Sequence, residues 1–377
     1  MKPKLFRLTT LFIAFTLLAV MFLGTAGSQV VAAPPAGQPA ALTQAEAGGG
    51  IVLASSAPEW TATTKVWTEE EMLAAKPYPL PTLKGEPTFD ISPTAPDGPR
   101  GLIPSALPAG AQGALVNAEP DFLEITSPLG YSYPPPFTRY TRYWMTQYPH
   151  VTIGTLFFDQ LGQSWRCSAA SIGNYAIWTA GHCIHAGNNS TGGWSTNIVF
   201  RPAYYFGVSP KGVWTAQNAG VLTAWYTFGD DPDFRYDYGF AILNLNGGQK
   251  ISERVGSLGF AWNWPVEQHW FSIGYPAEAP FAGNYQVICA SSYAYSDGSF
   301  GSPFPYAVGC DQTGGTSGGP RIWKFDYTAG ANNYVNGHND YRYVVPDHPL
   351  ELFSPYYGTD AGNLRNYAVI SCNPVCP

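Results

Sequence analysis

The sequence predicts an all-β protein, a barrel or a sandwich, over most of its length after residue 148. Three observations carry this. Apolar runs are short, as at 152–158, 165–171 and 175–178, and clusters of Gly, Asn and Asp separate them. No convincing helical period and no internal repeat follow as far as the C-terminus. Aromatic residues make up 15% of the chain against 12% charged, so a core can form from short strands despite the turns.

Taken in order, the 377 residues begin with a basic end (Lys2, Lys4, Arg7), an apolar run at 11–23 and small residues at Val31-Ala32-Ala33. This reads as a signal peptide over 1–33, since the run is shorter than the roughly 20 residues of a spanning helix. Residues 34–125 turn to Ala, Pro, Gly and Thr without cysteine and read as a propeptide or a segment of low order. Within it Thr68 and Glu71 form a capping box opening a short helix, and seven prolines between 77 and 99 forbid long elements. Residues 131–142, with Pro134-Pro135-Pro136, should be extended on the surface of the domain at 126–377. Six cysteines, an even number, suit an oxidising compartment. A net charge of −7 and a pI near 5.3 argue against nucleic-acid partners and polybasic membrane attachment. They suit a secreted monomer with no membrane contact after signal removal.

The chemistry gathers around Gly314-Gly315-Thr316-Ser317-Gly318-Gly319-Pro320. A serine on such a glycine-rich turn can present its Oγ, and the amides of Gly315 and Ser317 can converge on one spot as an oxyanion hole. A surface loop is the alternative for this stretch taken alone. The nucleophile needs a base. Of six histidines, His182 in Trp178-Thr179-Ala180-Gly181-His182-Cys183 has the informative context, with Cys167 sixteen positions before Cys183. Asp237 heads the apolar run 238–245, which reads as a buried strand starting at a carboxylate. Asp230, Asp231 and Asp233 belong to a solvated loop instead. A metal at His182, Cys183 and His185 is the weaker reading, because no second Cys/His cluster follows.

The T-A-G-H-C motif and the later G-G-x-S-G-G-P resemble the trypsin/chymotrypsin superfamily of serine peptidases, over roughly 145–370. The D-Y-G-x-A-I-L pattern and Ser272-Ile273-Gly274-Tyr275-Pro276 look closest to its bacterial glutamyl-endopeptidase-like members. The resemblance implies two six-stranded antiparallel β-barrels with the active site in the cleft between them. It also implies a triad of His182, Asp237 and Ser317 acting on proteins or peptides without cofactor or metal. A catalytically silent binding or adhesion module is the alternative. Beside Cys167–Cys183, the remaining cysteines pair as Cys289–Cys310 and Cys372–Cys376. Thr316 is neutral where trypsin has an aspartate, so an ion-pair activation switch is absent. The specificity pocket stays open: Asp311 favours basic side chains and His338 acidic ones, with Asn339 an alternative to His338 by a shift of register. The chain's many aromatics leave an apolar preference as the third reading.

Overall fold

In the first half of the fold, strands alternate their side chains between two cores. The computed structural model describes residues 49–90, 94–111, 135–143, 145–228, 233–326, 333–343 and 350–370. Those outside it include the signal segment expected at 1–33, Asp230, Asp231 and the expected pair Cys372–Cys376. Six strands form the first barrel: β1 Ile153–Gln160, β2 Gln163–Gly173, β3 Ala176–Ala180, β4 Thr196–Pro202, β5 Trp214–Leu222 and β6 Tyr238–Leu243. Their order is β5-β4-β1-β2-β3-β6, and β6 pairs back onto β5 to close the ring. Leu161 and Gly162, both at positive φ, join β1 to β2, as a two-residue hairpin turn requires. In β6, Ala241 and Leu243 face one core while Tyr238, Phe240 and Ile242 face another. The period-two geometry of a strand thus explains why this run reads as continuously apolar.

The second set comprises β7 Gly259–Trp262, β8 His269–Gly274, β9 Gln286–Asp297, β10 Tyr306–Gly309, β11 Pro320–Trp323, β12 Tyr334–His338, β13 Arg342–Tyr343 and β14 Glu351–Ser354. The hydrogen-bonded order is β14-β10-β9-β8-β11-β12-β7, antiparallel except where β7 meets β12. The architecture is the all-β, two-barrel one that the resemblance implies. Trp178 and Phe240 of the first barrel share a core with Phe260, Ile322 and Val335 of the second.

Two expectations are corrected. A helix does exist near the C-terminus, Thr359–Ile370, which packs Ala361, Leu364 and Ala368 into that shared core. Its buried stripe is small and interrupted by the buried Asp360 and Arg365, so the sequence carries little helical signal. Phe137–Arg142 is also more than surface chain: it forms a six-residue ladder with β9, Arg139 opposite Cys289.

The segment 49–111 is more ordered than its composition predicts. The helix Glu69–Ala74 starts at Thr68 with the full capping box: the Glu71 amide donates to Thr68 Oγ1 at 3.1 Å and the Thr68 amide to Glu71 Oε2 at 2.8 Å. Short strands lean on both barrels: Ile51–Leu53 on β5, Lys76–Pro77 on β2, Thr82–Leu83 on β13, Phe89–Asp90 on β9 and Gly101–Ile103 on β7. Prolines exclude long elements but not two-residue ladders at an edge. The indoles of Trp60 and Trp67 add bonds to the carbonyls of Ser195 and Asn197.

Cys167 on β2 and Cys183 after β3 are joined, as are Cys289 on β9 and Cys310 after β10. The first bond closes a separation of 16 residues. Replacing Cys167 and Cys183 together by Ala should lower the unfolding free energy in urea by about 3 kcal/mol. An unchanged midpoint and slope would mean that the barrel holds this loop unaided.

Candidate active site

His182 sits in a single 3-10 turn, Gly181–Cys183, directly after β3. Because β6 pairs with β3, with Tyr238 opposite Ala180, the residue before β6 is delivered beside that turn. This residue is Asp237, fully buried. Its Oδ1 accepts the His182 backbone N–H at 2.7 Å, and Oδ2 meets His182 Nδ1 at 2.7 Å. A side chain at Gly181 would place its Cβ 2.7 Å from Asp237 Oδ1, so glycine permits the approach. Burial opposes ionisation of Asp237, but the charge and hydrogen bond of His182 outweigh it and hold the carboxyl below its usual range. With Nδ1–H directed at the carboxylate, Nε2 is left as the basic nitrogen.

Ser317 arrives from the second barrel, in the loop before β11, and the first barrel anchors it. The Ser168 amide on β2 donates to the Ser317 carbonyl at 2.8 Å, and Ser168 Oγ donates to the Gly315 carbonyl at 2.9 Å. The Ser317 carbonyl also lies 3.9 Å from Cys183 Sγ, next to His182. Gly318 has φ +78°, and a side chain there would strike Thr179 Oγ1 and the Ala180 amide. Ser317 Oγ and His182 Nε2 are both buried, and neither has a hydrogen-bond partner among the described residues.

Neutral bonds hold the loop around Ser317. Thr316 Oγ1 donates to Gln312 Oε1 and accepts from Asn339 Nδ2 at 2.9 Å. Gln312 Nε2 in turn donates to the carbonyls of Ser272 and Val287, each at 3.0 Å. The site described by sequence as lacking an ion pair at Thr316 is filled here by amides and a hydroxyl.

The pocket candidates each have a partner of their own. His338 is fully buried, with Nδ1 2.9 Å from Tyr357 Oη. Burial pushes its pKa down to about 3, so it offers no cation to an acidic substrate. Asp311 is partly exposed and already paired with Arg139. Asp233 is spanned by Arg235 through Nε at 2.7 Å and Nη2 at 2.6 Å. Cys183 Sγ is committed to its disulfide, and His185 uses Nε2 on the Ser190 carbonyl at 2.9 Å and Nδ1 on the Gly187 amide at 3.0 Å. None of these atoms is free for the metal considered from sequence.

Two residues at the site escaped the sequence reading. Asp340, just past β12, is fully buried with Oδ1 3.6 Å from His182 Nδ1. It carries little signal in the sequence, because it follows the strand Tyr334-Val335-Asn336-Gly337-His338, whereas Asp237 opens an apolar run. Tyr78 is the other. Its carbonyl accepts the Gly315 amide at 2.9 Å, its own amide donates to the Arg166 carbonyl at 2.9 Å, and its ring lies 5.1 Å from that of His182. Tyr78 Oη donates to Gln160 Oε1 at 2.9 Å.

No protein-family model matches the chain, and no curated protein matches it. Solved structures do. Protease Anisep from Arthrobacter nicotinovorans is 30% identical at a TM-score of 0.53, over 62% of this chain and 99% of that one. The thermostable serine protease AL20 from an extremophilic microorganism is 34% identical at a TM-score of 0.52, over 58% of this chain and 97% of that one. With near-complete coverage of two such proteases, and with the two-barrel architecture around the His182 and Ser317 loops, this chain belongs to the trypsin/chymotrypsin superfamily of serine peptidases.

Proposed function

We propose that the protein is a secreted serine endopeptidase in which Ser317, His182 and Asp237 form the triad. The observation that carries this is the paired bond from His182 to a fully buried Asp237, together with a buried Ser317 Oγ and a buried His182 Nε2 that have no hydrogen-bond partner among the described residues. His182 Nε2 takes the Ser317 proton as Oγ attacks the peptide carbonyl, and Asp237 stabilises the imidazolium. The amides of Gly315 and Ser317 receive the oxyanion. His182 then returns the proton to the leaving amine, and water releases the acyl group by the same steps in reverse. Export is supported by the N-terminal leader pattern and the two disulfides. No helix of the described residues is long and apolar enough to cross a membrane.

The N-terminal segment is a propeptide in this reading, and its inhibitory part is the strap at 76–83. The strap pairs with β2 at Pro77 and with β13 at Thr82, so it bridges the two barrels across the catalytic loops. The Tyr78 carbonyl occupies the Gly315 amide that a substrate oxyanion would need. The bond following that carbonyl is Tyr78–Pro79; its nitrogen bears a ring in place of N–H. This contact is also what favours the silent-module reading for the intact chain, and removing the strap separates the two.

A fluorophosphonate probe should label Ser317 in the processed protein and leave Ser317→Ala unlabelled; an unlabelled processed wild type would overturn the enzyme reading. Asp237→Asn should keep its melting temperature within a few degrees while kcat drops by about 10⁴, because the amide favours the wrong imidazole tautomer. In the unprocessed chain, Tyr78→Gly should speed labelling about tenfold or more by uncovering the face of His182 and removing the Gln160 bond that helps seat the strap. Equal rates would show that the strap does not obstruct the site. On a peptide panel varied before the cleaved bond, Asp311→Ser should not lower the relative rate on Arg or Lys, since Arg139 already answers its charge. Loss of those substrates would return Asp311 to the pocket.

A further inference from the structure

Behind the triad the barrel buries a second carboxylate that the reaction, as described, does not use. Asp340 is wholly inaccessible. Its Oδ1 is 3.6 Å from His182 Nδ1, and donor atoms of Asp340, Asp237 and His182 all lie within 4.8 Å of one another. His182 Nδ1 already has its partner in Asp237 at 2.7 Å. Neither side-chain oxygen of Asp340 meets an N–H or a hydroxyl among the described residues. Two buried carboxylates side by side cannot both be ionised unless a cation stands between them, and one proton shared along their contact removes the conflict.

The surrounding charges decide which of the two keeps it. Asp237 accepts two bonds from His182, so the negative charge belongs there. Arg321 is the buried cation nearby, but its Nη1 and Nη2 are taken by the carbonyls of Tyr306 at 3.1 Å and Leu352 at 2.7 Å. Its charge favours ionisation of Asp340, but burial and the neighbouring Asp237 charge outweigh it. The remaining titratable neighbours are His338, neutral with its pKa near 3, and the phenols of Tyr341 and Tyr357, which burial raises further. Burial and the Asp237 charge together push the Asp340 carboxyl well above the ordinary range.

We infer that Asp340 is a positioning residue of the triad: it stays protonated and donates its O–H to Asp237, holding that carboxylate where it receives both His182 N–H groups. The inference rests on the triad reading, though its first test does not. The folded protein keeps the Asp340 proton to higher pH than the unfolded chain does. Stability therefore falls as pH rises from about 4, the unfolded value, to the titration point of the folded state. Asparagine has no such proton to lose.

Melts are best recorded in a Ser317→Ala background, where self-digestion cannot intervene. The melting temperature of Asp340→Asn relative to its parent should climb between about pH 4 and pH 8. A flat or falling difference would mean that Asp340 is ionised, and would overturn the inference whether or not the protein is a peptidase. In the active, processed protein Asp340→Leu, which has no donor, should lower kcat about ten- to a hundredfold at little change in KM. Asp340→Asn keeps an N–H donor in that place and should recover most of the loss. Equal losses in the two variants, or none in Asp340→Leu, would refute the positioning role. Labelling of Ser317 in wild type reports separately on the triad.

Discussion

The geometry of the site depends on Ser168. Its backbone and hydroxyl together make four bonds: the amide to the Ser317 carbonyl, the carbonyl from Thr179 Oγ1, and Oγ both to the Gly315 carbonyl and from the Tyr275 amide. Thr179 leads into the His182 turn, Tyr275 follows β8 of the second barrel, and Gly315 and Ser317 flank the nucleophile's turn. One fully buried serine thus ties the strand leading to His182 to the loop bearing Ser317. Its neighbour Cys167 adds the covalent link to Cys183. A network of this kind, with every member satisfied, sets a single arrangement where apolar packing alone would allow several.

The second constraint is charge burial. The interface between the barrels holds His182, Asp237, Asp340, His338 and Arg321, all buried. Only a particular set of protonation states makes such a cluster tolerable, because an unbalanced charge in this environment is costly. The arrangement gives Asp237 its negative charge through His182 and leaves His338 neutral on Tyr357. A preorganised acceptor for the imidazolium follows from the same balance.

Substrate access raises a different issue. The loop bearing Ser317 is braced by Thr316, Gln312 and Asn339 without an ion pair. Its shape does not depend on a new terminal amine. What stands over the loop is Tyr78, engaged with Gly315, Gln160 and Arg166. In the proposed reading, control through such a strap differs from control through loop ordering, because His182, Asp237 and Ser317 are already in place and only their exposure changes.

The triad motifs were legible in the sequence because their chemistry is local. A glycine-rich turn around Ser317, a turn of T-A-G-H-C type and a carboxylate opening an apolar run each declare themselves within a few residues. Strands β1, β2, β3 and β6 of the first barrel and the Thr68–Glu71 cap were legible for the same reason, as period and capping act over neighbours. Strands β4 and β5 were not read from sequence. Other features required distant contacts. His338 and Asp311 had to be placed by what lies opposite them, Tyr357 and Arg139, and neither partner is near in sequence. Tyr78 sits in a proline-rich stretch whose order comes from β2 and β13, more than 80 residues away. Asp340 became part of the site only when β12 brought its end beside β3 and β6. Sequence determined which residues can do the chemistry; tertiary structure decided which of them meet, because burial and opposing charge arise only between segments that folding brings together.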